Sequence, residues 1–69
     1  MNTTELLRHA ARQKHITLAE FAERSGKTFN TLRNMLYKPN INTTSLEELA
    51  DALGCDVVLI DRETGEIYR

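Results

Sequence analysis

Between Ser25 and Thr28 the chain has only Gly26 and Lys27 in which to leave one helix and enter another. Upstream, "TLAEFAERSG" carries Leu18, Phe21 and Ala22 at helical spacing, which makes one apolar stripe. Thr17 with Glu20 three residues later forms a capping box at its start, and Gly26 can take the left-handed conformation that ends a helix. Downstream, "TFNTLRNMLY" turns Leu32, Met35 and Leu36 inward, and Pro39 stops it by biasing Lys38 away from helix. A connection this short, with glycine in it, makes the two helices cross steeply. Ala22 then stands at their closest approach, where a larger side chain would push them apart. Leu18, Phe21, Leu32 and Met35 close the small core between them.

The remaining segments add two helices and a hairpin to this pair. Leu6, Leu7, Ala10 and Ala11 give an apolar stripe over about 3–14, capped by Thr3 or Thr4, with Glu5 suiting the positive end of the helix dipole. The crossing pair occupies about 17–25 and 28–37. Leu46, Leu49, Ala50 and Leu53 form the stripe of a fourth helix over about 44–53, with Thr44 and Glu47 as a second capping box and Gly54 as its stop. The intervening "KPNIN" is a loop in which Ile41 is expected to tuck under the core. After the helices, "CDVVLI" reads as a strand, "DRETG" as a turn that uses Gly65, and "EIYR" as a second short strand. The expected architecture is mainly α, one domain over 1–54 followed by a β-hairpin over 55–69.

Length sets a limit on stability. A chain of 69 residues is one small domain whose core is marginal. It has one cysteine, Cys55, so no internal disulfide can staple it. His9, His15 and Cys55 lack zinc-finger spacing; the cysteine is read as a core residue and the histidines as surface residues. No metal site and no cofactor are expected. Neither are a signal peptide or a bilayer-spanning segment, and a cytoplasmic protein is the expectation. A Gly-rich phosphate loop, a metal-ligand cluster and a serine with a local base are all missing from the sequence, so no enzymatic activity is expected.

The net charge of −1 hides a division. Residues 1–40 hold seven Lys and Arg against three Glu, an excess of four positive charges, whereas residues 41–69 hold two Arg against seven acids, an excess of five negative ones. Such asymmetry is expected of a chain that turns a basic face to something anionic, although two differing solvated faces would have the same composition.

Taken in order, the capped second helix, the small Ala22, the turn glycine Gly26, the polar-faced third helix and the "LEELADAL" helix resemble the Cro/C1-type (XRE) helix-turn-helix family of bacterial and phage regulators. The likeness covers about residues 3–54. It implies a four-helix, lambda repressor-like domain that binds a palindromic DNA operator, usually as a homodimer, to control transcription, most simply as a repressor. The sequence departs from the family pattern at Ser25, where an aliphatic residue is usual, and in residues 55–69, which lie outside the helical core.

The resemblance assigns candidate DNA contacts. On a helical wheel Asn30, Arg33, Asn34 and Tyr37 lie opposite Leu32, Met35 and Leu36. Asn matches the adenine edge and Arg the guanine edge in the major groove. Taken alone, such a face would be an ordinary solvated one. Phe29 has two readings, a thymine methyl or the rim of the core, and the rim is preferred. Thr17, Lys27 and Thr28 stand near helix starts, where phosphate can bind, although capping alone explains the threonines. Lys38 is a further phosphate candidate.

Val57, Val58, Leu59 and Ile60 are four consecutive apolar residues, more than a one-sided hairpin needs. One face is expected to cover the fourth helix and the other, with Ile67 and Tyr68, to meet a second copy. Two other functions stay open: a protein-interaction module, such as an antitoxin that holds a partner enzyme, and an accessory DNA-binding protein of a mobile element.

Overall fold

The computed structural model describes residues 2–69. Four helices follow one another: α1 (Thr3–Gln13), α2 (Leu18–Ser25), α3 (Phe29–Tyr37) and α4 (Thr43–Ala52). Two short strands follow, β1 (Leu59–Ile60) and β2 (Ile67–Tyr68), paired antiparallel with Leu59 opposite Tyr68 and Ile60 opposite Ile67. Ten apolar residues form one core, contributed by all four helices, by Ile16 in the α1–α2 connection and by Leu53, the C-cap of α4. Phe21, Leu32, Leu49 and Leu53 are its fully buried centre.

Helix ends explain much of the layout. Thr17 caps α2 and Thr28 caps α3, each hydroxyl accepting the N–H three residues on. Glu20 does not return to complete the expected capping box; it turns outward to Arg24 at 3.5 Å. Asn2 caps α1, in place of Thr3 or Thr4, and Asn42 caps α4, in place of Thr44. Asparagine is the stronger N-cap of the two types. The buried face of α1 carries Thr4, Leu7 and Ala11, and Leu6 is turned outward, 49% exposed.

Three helices end in the same way. The N–H groups of Ile16, Lys27 and Cys55 each reach back five residues, and those of His15, Gly26 and Gly54 reach back three. This is the Schellman closure, which needs a left-handed residue. Gly26 and Gly54 provide it at φ 70° and 72°; at the end of α1 the same position is His15 at φ 57°.

The α2–α3 corner is as tight as the spacing requires. Ala22 is buried there, and its carbonyl accepts both Lys27 N–H and Ser25 Oγ–H at 3.1 Å. The departure at Ser25 therefore costs no unpaired polar group, because the hydroxyl folds back onto its own helix.

The hairpin differs from expectation. Only Leu59–Ile60, not the whole of residues 55–60, is strand. Neither strand covers α4: Leu59 is 74% exposed, Ile60 62%, Ile67 50% and Tyr68 50%. An open, acid-walled groove lined by Glu47, Glu48, Asp51, Cys55, Asp56, Val57, Val58 and Arg69 lies between arm and helix. Cys55 itself packs against the core, half-buried.

Candidate nucleic-acid interface

The outer face of α3 follows from its inner one. Leu32 and Leu36 are buried and Met35 is half-buried, so Asn30, Thr31, Arg33, Asn34 and Tyr37 point to solvent. Two amides, a guanidinium, a hydroxyl and a phenol thus lie along about two turns of one helix, a set able to donate to and accept from base edges. Phe29 is 45% exposed, which makes it more open than the expected packing at the core rim.

The charged groups nearby differ in availability. Three ion pairs form among the described residues: Arg24–Glu20, Lys27–Glu48 and Arg69–Asp56. Arg33 and Lys38 belong to none of these. Lys27 does: its ammonium lies 3.8 Å from Glu48 of α4, with the side chain only 23% exposed. The lysine read as a phosphate contact is thus turned toward the α2–α4 side. An exposed pair of this length is worth little, about 0–1 kcal/mol, and leaves Lys27 weakly held. Thr17 and Thr28 are exposed and occupied as caps; Thr28 Oγ also donates to Thr31 Oγ at 2.9 Å.

What holds α3 in place was not visible in the sequence. Its last carbonyls have no intrahelical donor. Side chains of α1 supply them: Arg8 Nη2 donates to Leu36 O at 3.1 Å, and the buried Thr4 hydroxyl lies 2.6 Å from Lys38 O. In return Asn40 Oδ1 accepts Thr3 N–H at 3.1 Å, so the loop leaving α3 caps the start of α1. Thr3 Oγ accepts Ile41 N–H at 3.3 Å. The sequence separations of 28–38 residues explain why periodicity could not reveal these contacts.

At the other end of α1, Lys14 donates to Leu53 O and so closes the C-terminus of α4 with a positive charge. Among the described residues no three His, Cys, Asp or Glu side chains group as metal ligands, and no helix is long and apolar enough to cross a membrane.

No curated protein and no solved structure matches the chain. A family model described as a Cro/C1-type HTH DNA-binding domain matches residues 6–58, which takes in most of α1, all of α2, α3 and α4, and the approach to the arm. With that match over most of its length, and with two helices crossing at a glycine turn beneath an exposed polar face, the chain belongs to the Cro/C1-type helix-turn-helix DNA-binding family.

Proposed function

We propose that this DNA-binding regulator is a sequence-specific repressor of transcription that works as a homodimer on a palindromic operator. α3 enters the major groove, Asn30, Arg33 and Asn34 read base edges, and Tyr37, Lys38 and the caps Thr17 and Thr28 meet the backbone. The observation that carries this is the exposure of the amides and guanidinium of α3 directly opposite its buried leucines. Lys27 joins the backbone contacts by leaving Glu48 for a phosphate.

The dimer rests on the arm. A two-stranded hairpin is marginal by itself in water, and here both its faces carry exposed apolar side chains. A second copy, meeting Val57, Leu59, Ile60, Ile67 and Tyr68, covers them and sets two copies of α3 about one helical turn (~34 Å) apart. Val58, already half-buried, lies at the root of this surface.

Selection of bound sequences from a random duplex pool tests the proposal. The expected product is a two-fold symmetric motif, bound roughly 10-fold or more weakly by Arg33→Ala and Asn34→Ala, since a base-reading pair gives ~1–3 kcal/mol of discrimination. Circular dichroism should show both variants folded. No enriched motif would refute sequence-specific binding. It would favour the protein-interaction reading, which the acid-walled groove beside α4 also suits.

A further inference from the structure

We infer that Arg8 is a positioning residue for base selectivity, acting on the recognition helix from outside the DNA interface by holding its C-terminal carbonyl. The inference rests on the proposed role of α3.

Leu36 side chain is buried at 3% exposure, so the last turn of α3 is anchored in the core. Its carbonyl falls in the last turn, where no intrahelical N–H reaches it. Arg8 Nη2 meets that oxygen at 3.1 Å from a half-buried position on α1. The contact places a positive charge at the negative end of the helix dipole and joins two elements 28 residues apart. One helical turn earlier on α1, Thr4 holds the next part of the same exit, Lys38 O at 2.6 Å, with Pro39 O at 3.2 Å. Thr4 and Arg8, at i and i+4, thus grip two carbonyls two residues apart, those of Lys38 and Leu36, where α3 ends.

The other end of α3 is held by its own cap, Thr28, by the short turn from α2 and by the fully buried Leu32. With Leu36 and Thr4 still in place, loss of the Arg8 grip lets the last turn of α3 shift slightly relative to its more firmly held N-terminal half. Asn34 and Tyr37, nearest that grip, then shift most against the bases, and Asn30 shifts least. Loss of Arg8 therefore predicts a graded loss of selectivity, strongest at base pairs read by the C-terminal half of α3. A phosphate contact would instead weaken binding to all sequences alike and lower the salt dependence.

The experiment compares the full wild-type chain with Arg8→Met, which keeps an apolar stem without donors, and Arg8→Lys, which keeps a donor. Binding is titrated against the duplex enriched by the wild type and against a scrambled duplex, across a salt series, at a temperature where circular dichroism shows each protein folded. Arg8→Met is expected to lower the ratio of specific to non-specific affinity roughly tenfold, with the salt slope unchanged. Arg8→Lys is expected to return the ratio to within about threefold of wild type. An unchanged ratio in Arg8→Met overturns the inference. So does a slope reduced by about one phosphate (~0.9) in either variant. If Arg8→Met does not fold, an Arg8→Lys ratio more than about threefold below wild type overturns it. Failure of the wild type to enrich any sequence falls on the proposed function; selectivity that ignores Arg8 falls on this inference alone.

Discussion

Replacing Thr4 with valine tests the buried contact that ties α1 to the exit of α3. The two side chains have nearly the same shape, so no cavity opens at this 3% exposed site. What is lost is one hydroxyl proton. It lies within reach of three acceptors, Lys38 O at 2.6 Å, Asn2 Oδ1 at 2.8 Å and Pro39 O at 3.2 Å, and the shortest is the natural choice. Pro39 O keeps the backbone N–H of Thr4 at 3.4 Å. Lys38 O keeps nothing in the substituted protein. An acceptor left without a donor costs about 1–3 kcal/mol when buried, and Lys38 O, in a part-buried contact, falls in the lower half of that range. A chain of 69 residues has an unfolding entropy of about 0.15 kcal/mol/K, so a loss of ~1.5 kcal/mol lowers Tm by about 10 °C. Thermal melts followed by circular dichroism measure this, and Thr4→Ser, which keeps the hydroxyl, should fall much less. A Thr4→Val protein melting within about 2 °C of wild type would refute the argument, since that leaves only ~0.3 kcal/mol for the contact.

Ala22→Leu should destabilise the domain by ~1–3 kcal/mol through overpacking at the α2–α3 corner; a melt at the wild-type temperature would show that the helices do not meet there. His15→Gly should raise stability by ~0.5–1 kcal/mol, because glycine removes the left-handed penalty at φ 57° at some entropic cost, and a lower Tm would count against strain at that position. Asp61 accepts the N–H groups of Glu63 and Thr64 at 2.8 and 3.1 Å, and these hold its carboxyl below the ordinary 3.8. A depressed folded pKa contributes stability above the ordinary value that is lost as pH falls through the folded one, so the amides of Glu63 and Thr64 should titrate in NMR spectra with a midpoint below 3.8; a midpoint at or above that value contradicts the turn. In sedimentation equilibrium the full chain should be dimeric at roughly tens of micromolar and a chain ending at Gly54 monomeric; a monomeric full chain would refute the arm-mediated dimer in solution.

Local signals in the sequence are legible where the structure is local. Gly26, Thr17 and Thr28 fix the ends of α2 and α3 through bonds spanning three to five residues, and each does so as its chemistry suggests. The segments "NTTE" and "NTTS" were harder, because each offers three cap candidates in a row; in both, the asparagine wins and the threonines become helix. Leu6 fitted an apolar stripe by spacing, but the true buried face of α1 includes a polar residue, Thr4, made compatible by its bond to a distant carbonyl. Periodicity has no means of showing that a hydroxyl has a partner 34 residues away. The partner of Arg8, 28 residues away, is hidden from periodicity for the same reason. The polar face of α3 was legible from a helical wheel, whereas the pairing of Lys27 with Glu48 needed the relative placement of α2 and α4. The hairpin was expected from composition, but its β-branched run could not say which elements it would pack upon.

The exposed arm has a consequence for how such proteins diversify. Leu59, Ile60, Ile67 and Tyr68 share no packed core with the helices, so they can be exchanged without loosening Leu32 or Leu49. Likewise Asn30, Arg33 and Asn34 can change without touching the arm. If self-recognition lives in one segment and operator choice in the other, a duplicated gene needs only a few substitutions in the arm to stop mixing with its parent. Two sister proteins can then keep the same operator without forming hybrids, or change operators while still pairing. Crosstalk between copies becomes a property tuned at four or five side chains, independently of the machinery that reads DNA.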